Sequence, residues 1–356
     1  MKASLLKESL EIAIRAKRPA MIWSSPGMGK SQIVKQVADK LYAKKFNIEF
    51  DKFGKPRNAK TGKYCERPYF IDVRASLLDP VDLRGIPRID EDNVTRWCRP
   101  VFFPIDGEGI VFLDELTAAV PIVQASLYQW VLDGKLGEAT MGEGWTIVAA
   151  SNRDTDRAVT YRMPTPLRNR FIHIDLDFDI AEWVEWAFTK KPEPVSHEII
   201  DFARARPKLL SNFDPTKNEN AFGTPRSVGD FLDDIFKQKP SEELTYELYK
   251  GIVGEGVASE FLAHLKVYGK LPKPELCLTQ PEDAPVPTDP SSLYALCGSL
   301  ASVVNEKLVE GFFKYISRIP VEFSVLAVRD TAKLHKSLIK TRPFVEWASK
   351  NANVLI

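Results

Sequence analysis

The chain has 356 residues, of which 44% are hydrophobic and 27% are charged, and this length predicts about two domains. Lys and Arg number 49 against 48 Asp and Glu. Because the charges nearly balance, no overall field would draw the chain to DNA or to an anionic membrane. The N-terminus carries charges where a signal peptide is apolar, and no apolar stretch approaches the length of a membrane span. These observations predict a cytoplasmic protein without a membrane segment.

The first elements in chain order are an amphipathic helix over residues 4–17, a buried strand at 20–24 and a helix from about 30 to 43. Residues 44–67 are rich in Lys and Arg around the turn-prone sequence Phe53-Gly54-Lys55-Pro56, and they predict a surface hairpin or loop. A basic loop can contact nucleic acid, but a solvated excursion is the favoured interpretation.

Further buried strands and one hairpin are predicted in the first half of the chain. The hairpin is expected over 84–97, where the pattern alternates around an Asp-Glu-Asp-Asn turn. The buried strands are expected at 69–73, 109–113, 145–150 and 171–176. Helical stretches between these strands predict an α/β fold, in which a parallel sheet carries helices on both faces.

The pattern becomes helical from about residue 178. Helices are expected at 181–189, 198–206, 228–238, 242–267, 291–318 and 321–349, the last interrupted near Pro343. Six prolines between 271 and 290 are expected to exclude regular helix and to form a stiff connector or linker. The predicted domains are an α/β core at 1–178, a helical domain at 179–268, a connector at 269–290 and a C-terminal helical segment at 291–356.

The segment after the first strand is the most informative one, because a strand that ends in such a glycine-rich turn can hold phosphate. Two glycines let backbone N–H groups surround anionic oxygens, Lys30 can reach the outer phosphates and the Ser31 hydroxyl is placed for Mg²⁺. The following helix would direct its positive N-terminal end at the same anion. A turn that merely connects a strand to a helix is the alternative. The predicted nucleotide-binding residues are Ser25, Pro26, Gly27, Met28, Gly29, Lys30 and Ser31.

Two acidic residues follow the apolar strand at 109–113. Asp114 is placed to coordinate Mg²⁺ together with Ser31, and Glu115 is placed to polarise an attacking water as general base. An apolar run that ends in two acids is weak evidence by itself, since many strands end in acids at a surface turn. It becomes strong in combination with the upstream Lys30-Ser31.

Four further polar residues are candidates for catalysis. Asn152 follows the next buried strand, so its amide could hold the γ-phosphate or the water, although it could also be an ordinary turn residue. Arg168 and Arg170 precede the fifth strand, where a guanidinium offered to a neighbour's γ-phosphate is worth on the order of 10³ to 10⁵ in rate. Arg226 follows Pro225 at the start of a helix. Surface ion pairs, or a capping or packing role, are the alternatives for these arginines.

This ordered set resembles the AAA+ ATPases and, in its details, their MoxR-like branch, over about residues 5–265. The segment 79–87 is similar to the one that leads into a hairpin inserted in helix 2 of that branch. Ser24 departs from the family pattern, which has glycine there. The segments similar to Walker A, Walker B, sensor 1, the arginine finger and sensor 2 are, in order, 26–31, 112–115, 150–153, 167–171 and 224–226.

The resemblance implies an AAA+ αβα P-loop core with a parallel sheet and an all-helical lid; the C-terminal helical segment lies beyond it. It also implies ATP and Mg²⁺ as ligands, and a ring, usually hexameric, whose sites lie between subunits. Arg170 matches the trans-acting finger best because it immediately precedes a phenylalanine, and Arg168 is the reserve candidate.

Three functions are weighed against one another. The first is an ATP-driven machine that remodels a protein client, for which a partner with a von Willebrand factor A domain is implied by resemblance only. The second is an AAA+ nucleic-acid motor, helicase or replication loader with the 44–67 loop as its contact; the near-zero net charge and the lack of a recognised DNA-binding motif argue against it. The third is a scaffold that binds nucleotide without hydrolysing it. The presence of the catalytic candidates disfavours it: Asp114, Glu115, Asn152 and Arg170.

Overall fold

A computed structural model describes residues 1–153, 156, 161–217 and 219–351, apart from the side chain of Ser291. The chain divides into two units. Unit 1 consists of Met1–Glu182 and Phe213–Asn218, and unit 2 of Trp183–Asn212 and Glu219–Ile356. Residues 352–356 of the predicted C-terminal segment lie outside the described residues.

All strands of the described chain lie in unit 1. In chain order they are β1 (Ala20–Trp23), β2 (Ile48–Phe50), β3 (Pro56–Asn58), β4 (Phe70–Arg74), β5 (Ile86–Ile89), β6 (Thr95–Cys98), β7 (Glu108–Asp114), β8 (Lys135–Leu136), β9 (Ala139–Thr140), β10 (Gly144–Ser151) and β11 (Ile172–Asp175).

Helices occur in both units. In chain order they are α1 (Ala3–Arg15), α2 (Lys30–Tyr42), α3 (Pro80–Arg84), α4 (Pro121–Asp133), α5 (Thr165–Arg168), α6 (Ile180–Thr189), α7 (His197–Ala205), α8 (Asp233–Lys237), α9 (Glu242–Val253), α10 (Glu255–Tyr268), α11 (Pro274–Thr279), α12 (Pro290–Val303), α13 (Val309–Ile316), α14 (Val321–Leu334) and α15 (Arg342–Lys350). None of the described helices combines the length and apolar character needed to cross a bilayer.

Five strands of unit 1 form one parallel sheet in the order β11-β1-β10-β7-β4. The buried strands predicted from the sequence are therefore confirmed. The hairpins predicted within 44–67 and over 84–97 are confirmed by the antiparallel pairs β2–β3 and β5–β6. A short third hairpin, β8–β9, was not predicted.

Helices cover both faces of this sheet, which explains its continuous apolar strands. Along β7, Ile110 and Phe112 pack in the cluster that contains residues of α1 and α2, whereas Val111 and Leu113 pack in the cluster that contains residues of α4. The residues from Gly109 to Leu113 are all buried, on one face or the other, so no polar alternation remains in this part of the sequence. The predicted α/β class is confirmed.

The sheet order places the end of β1 at a topological switch point. The chain leaves β1 towards β4 at one edge, whereas it passes from β10 to β11 across β1 to the other edge. In such sheets the loops at the carboxyl ends of the strands diverge here and leave a crevice for ligands. The loops that follow β1, β7 and β10 all lie at this carboxyl edge.

Unit 2 is helical, but two of its predicted helices are divided. The helix expected at 242–267 breaks at Gly254, whose φ is +83° and whose added Cβ would lie 2.6 Å from the carbonyl oxygen of Ala221. The helix expected at 291–318 is likewise divided into α12 and α13. Near Pro343 the break precedes the proline, which occupies the first turn of α15.

The prediction that prolines exclude helix between 271 and 290 is wrong. Pro274 begins α11, because proline is tolerated in the first turn where no N–H is needed. Cys277 and Leu278 of this helix are buried in the same apolar cluster as residues of α12 and α13. Part of this segment is therefore core of unit 2.

An ionic cluster is buried between α7, α12 and α14. Arg204 donates two hydrogen bonds to Asp330, one of them 2.7 Å long. Asp201 is fully buried, lies 3.6 Å from Arg204, and has no hydrogen-bond partner for either carboxylate oxygen among the described residues. Burial raises the pKa of Asp201 well above the ordinary value of 3.8, with Arg204 opposing the shift and Asp330 and Glu198 adding to it.

We expect Asp201→Asn to stabilise unit 2 increasingly as the pH rises. Because the pKa of Asp201 is higher in the folded state than in the unfolded state, its protonation favours folding. This contribution to stability is complete below the unfolded-state pKa of about 3.9, and it is lost as the pH rises through the folded-state pKa. The amide side chain of the variant does not ionise, so the variant does not lose stability in this way as the pH rises. Urea unfolding at several pH values should show the variant gaining on the wild type above about pH 4, and a constant difference would contradict this. Asp330→Asn, the matched control, leaves buried Arg204 without its ion pair and should destabilise the protein by about 3 kcal/mol at neutral pH, without a gain as the pH rises.

Candidate active site

The loop between β1 and α2 has the backbone geometry of a phosphate cradle. Gly27 and Gly29 have φ values of +74° and +81°, a region in which residues other than glycine are rarely found. An added Cβ at Gly29 would meet nothing within 4 Å, so glycine is required there for its backbone angle and not for space. Helix α2 begins directly afterwards at Lys30, with its N-terminal N–H groups at the loop. The loop and the helix end are therefore arranged to receive an anion.

The ammonium group of Lys30 donates hydrogen bonds to several neutral oxygens at the base of this loop. Its Nζ donates to the carbonyl oxygen of Ser24 at 2.9 Å, to the hydroxyl of Ser24 at 3.1 Å and to Oδ1 of Asn152 at 2.9 Å. Phosphate oxygens would form stronger, charge-assisted bonds with the same ammonium. Lys30 and Asn152, predicted for one site, are in direct contact.

Ser24 does not distort the loop. It is fully buried, and it is absent from the non-glycine residues with positive φ, so this position does not require glycine. Its hydroxyl accepts from Lys30 and donates to the carbonyl oxygen of Ser25 at 3.1 Å. The departure from the family pattern therefore adds an acceptor for Lys30.

Ser31 and Asp114 are brought together from different elements. The Ser31 hydroxyl donates to Oδ2 of Asp114 at 2.8 Å, from the first turn of α2 to the end of β7. A hydroxyl beside a carboxylate fits Mg²⁺, which takes few protein oxygens and keeps water and phosphate as its other ligands. No group of three or more His, Cys, Asp or Glu in the described part of the chain could hold a metal by itself.

A second carboxylate adds negative charge near Asp114. Asp72 lies on the neighbouring strand β4, two positions before the residue that pairs with Asp114. Partial desolvation raises the pKa of Asp72, Asp114 adds to the shift, and Lys35 of α2 and Arg74 of β4 oppose it. Asp72 therefore places a second carboxylate beside the predicted metal-binding residues, with Lys35 and Arg74 partly balancing its charge.

Glu115 has an unusual backbone conformation. Its φ is +56°, uncommon for a residue other than glycine, and its backbone N–H donates to Oδ1 of Asp114 at 3.0 Å. The Ser76 hydroxyl donates to Oε2 of Glu115 from the turn that follows β4. Such strained residues cluster at functional sites. The contact with Ser76 was missed, because the two residues meet only through sheet pairing.

The residues at the end of β10 and just after it contact both the phosphate loop and the loop that follows β7. Asn152 accepts from Lys30, and the hydroxyl of Ser151 accepts from the backbone N–H of Thr117 at 2.8 Å. Asp156, not predicted, accepts from the Ser25 hydroxyl at 3.4 Å and from the backbone N–H of Arg153 at 3.3 Å. These bonds fix the Asn152 backbone close to the phosphate loop.

The three candidate arginines are all exposed. Arg168 and Arg170 belong to unit 1 and stand between two buried anchors, Leu167 and Phe171. In the described part of unit 1, no hydrogen bond or ion pair joins either guanidinium to the phosphate-loop residues. Arg226 belongs to unit 2.

Arg226 follows Pro225 at the start of a helical turn, as predicted. The turn is fixed by reciprocal hydrogen bonds: the Thr224 N–H donates to the Ser227 hydroxyl at 2.8 Å, and the Ser227 N–H donates to the Thr224 hydroxyl at 2.9 Å. Because Thr224 and Ser227 supply the cap, the side chain of Arg226 is not needed for that purpose.

The geometry defines an α/β protein with a glycine-rich phosphate loop and a serine–aspartate pair at the carboxyl edge of a parallel sheet. No protein-family model and no curated protein matches the chain.

Several solved structures resemble it weakly. NtrX from Brucella abortus is 13% identical, with a TM-score of 0.40 over 99% of this chain and 68% of that chain. A RuvB mutant from Thermotoga maritima is 16% identical, with a TM-score of 0.39 over 83% and 81% of the two chains. A putative ATPase from Cytophaga hutchinsonii is 14% identical, with a TM-score of 0.33 over 90% and 78%.

Proposed function

We propose that the chain is a MoxR-like AAA+ ATPase that binds ATP at the loop of residues 25–31 and hydrolyses it at sites shared between the subunits of a ring, with six subunits as the expected number. One observation carries the nucleotide site: the consecutive residues Lys30 and Ser31 donate hydrogen bonds, at 2.9 Å to Asn152 and at 2.8 Å to Asp114, to residues that lie far from them in the sequence. We place this activity in the cytoplasm.

Each residue has a role that follows from its position. Lys30 would exchange the Ser24 and Asn152 oxygens for phosphate oxygens, and the freed amide of Asn152 could then hold the γ-phosphate or the attacking water. Mg²⁺, held by Ser31 and through water by Asp114, would neutralise charge on the phosphates. Glu115 would accept the proton of the attacking water.

The role of the arginines is inferred from their exposure. Arg170, with Arg168 in reserve, lies on an exposed turn and is available to a neighbouring subunit. A guanidinium supplied in this way would make hydrolysis depend on assembly. Arg226 is proposed as the sensor 2 arginine by resemblance alone.

We propose a protein as the client. The β5–β6 hairpin exposes Ile86 and Ile89 by 69% and 70%, and apolar side chains of this kind suit contact with protein. A partner with a von Willebrand factor A domain is part of the proposal by resemblance. The nucleic-acid alternative is less favoured because Lys45, Arg57 and Arg67 of the basic 44–67 segment already pair with acidic residues of this chain.

Lys30→Ala tests the nucleotide site. Loss of a charge-assisted contact with phosphate should weaken ATP binding by about 10- to 100-fold. Lys40→Ala, in the same helix but paired with Glu11, is the matched control and should bind ATP normally. Titration with a fluorescent ATP analogue measures both affinities. Equal binding by Lys30→Ala and the wild type would remove this loop as the nucleotide site.

A further inference from the structure

Trp23 and His173 form a hydrogen-bonded pair of nearly parallel rings on neighbouring strands. Trp23 ends β1 directly before the phosphate loop, and His173 lies on the edge strand β11. The register pairs Trp23 with Asp175 and Met21 with His173, so the two rings stand on one face of the sheet, two positions apart. Their centroids are 6.0 Å apart, with an angle of 19° between the ring planes.

The hydrogen bonds of this pair have a defined direction. The indole N–H of Trp23 donates to Nδ1 of His173 at 2.9 Å. Because an indole nitrogen can only donate, Nδ1 must be the acceptor and the ring carries its proton on Nε2. Nε2 therefore donates to the carbonyl oxygen of Arg168, 2.7 Å away. The chain of bonds runs from the strand before the phosphate loop to the turn that carries the arginines.

The arginine turn, residues 167–171, is closed by its own backbone hydrogen bonds: the Arg170 N–H donates to the Leu167 carbonyl oxygen at 3.1 Å and the Phe171 N–H donates to the Arg168 carbonyl oxygen at 3.4 Å. Leu167 and Phe171 anchor its ends in the core, whereas Arg168 and Arg170 are exposed. The turn borders an open pocket of about 580 Å³, lined by Trp23, Thr165, Pro166, Arg168, Asn169 and His173. Packing does not fill this space, and the 2.7 Å bond from His173 to the Arg168 carbonyl oxygen joins the turn to strand β11 beside the pocket.

We infer that Trp23 and His173 are positioning residues for the arginine turn. They hold the backbone of Arg168 at a fixed distance from β1, and so place the guanidiniums that a neighbouring subunit's nucleotide requires. This inference rests on the proposed shared-site ATPase. The pair acts on the turnover of the neighbouring site and leaves ATP binding by its own subunit unchanged.

Two variants, made in the full chain, test the relay, by which we mean the two hydrogen bonds from Trp23 to His173 and from His173 to the Arg168 carbonyl oxygen. His173→Ala should lower kcat for ATP about tenfold, the value of one hydrogen bond, with KM changed less than twofold. Trp23→Phe keeps an aromatic ring but removes the donor, and should lower kcat about threefold to tenfold if the relay operates. His335→Ala, the matched control in unit 2, removes a similar bond to a backbone carbonyl and should leave both constants unchanged. Unchanged kcat in His173→Ala and Trp23→Phe, or an equal rise in KM, would overturn the inference.

Mixed assemblies separate positioning from a general loss of structure. His173→Ala subunits have an intact nucleotide site, and Glu115→Gln subunits have an intact arginine turn, so mixing them should raise phosphate release per His173→Ala subunit severalfold. An Arg170→Ala and Glu115→Gln mixture is the reference. If only the reference mixture recovers, the relay is wrong and the shared site stands. If neither recovers, the shared site fails and the relay fails with it.

Discussion

Arg170→Ala is expected to lower the turnover number for ATP by about 10³-fold or more while ATP still binds. The turn holds Arg170 exposed between buried Leu167 and Phe171, and among the described residues of unit 1 its guanidinium makes no hydrogen bond or ion pair with the phosphate loop, as the proposed action on a neighbouring subunit requires. An arginine supplied in trans stabilises charge that develops on the transferred phosphoryl group, worth about 10³ to 10⁵ in rate. Steady-state phosphate release and a separate ATP titration measure the two properties.

The controls identify which arginine acts. Arg162→Ala, an exposed arginine in the same unit, should hydrolyse ATP at the wild-type rate. A large loss in Arg168→Ala with little loss in Arg170→Ala would assign the finger to Arg168. Full activity in both variants would exclude this turn as a source of the finger.

Glu115→Gln is expected to retain ATP binding and to lose turnover by about 10²- to 10⁴-fold. The amide keeps the shape of the side chain but cannot accept a proton from water, and general base catalysis contributes a factor of this size. The carboxylate is oriented by the hydroxyl of Ser76, and the backbone φ of +56° sets the direction in which the side chain leaves the end of β7. Rapid-quench measurement of one turnover, beside equilibrium ATP binding, separates chemistry from affinity.

Glu108→Gln is the matched control for this substitution. Glu108 begins the same strand β7 and pairs with Lys45 at the opposite end from the site, so its replacement should leave turnover unchanged. Undiminished hydrolysis by Glu115→Gln would remove Glu115 as the base.

The sheet and the phosphate loop could be predicted because their requirements are local. A strand covered on both faces leaves an apolar run, as in β7, and a phosphate loop needs residues that adopt positive φ, as Gly27 and Gly29 do. Asp114 and Asn152 could be placed on one edge because each follows such a run. Their contacts with Ser31 and Lys30 agree with that placement.

The breaks that divide two of the expected helices could not be predicted from local sequence patterns. A glycine within a helix costs only about 1 kcal/mol, so Gly254 did not indicate an end. The backbone angle of +83° and the close approach of Ala221 are set by tertiary packing. The prolines at 271–290 misled for a related reason, because Pro274 begins a helix whose buried face is recognised only in the folded unit.

The contacts of Glu115 and His173 lay beyond local signals altogether. Ser76 meets Glu115 across paired strands, and Trp23 meets His173 across a separation of 150 residues. Only the sheet order and register bring these residues together. The sequence had provided no reason to assign chemistry to His173.

The most direct test of the shared site is phosphate release by a mixture of Lys30→Ala and Arg170→Ala chains. Each variant alone should be inactive, the first because it lacks the nucleotide contact and the second because it lacks the finger. In mixed assemblies, an intact Lys30 from one subunit meets an intact Arg170 from the next. The account predicts that phosphate release appears on mixing; release that stays absent, or that Arg170→Ala shows by itself as a monomer, would contradict it.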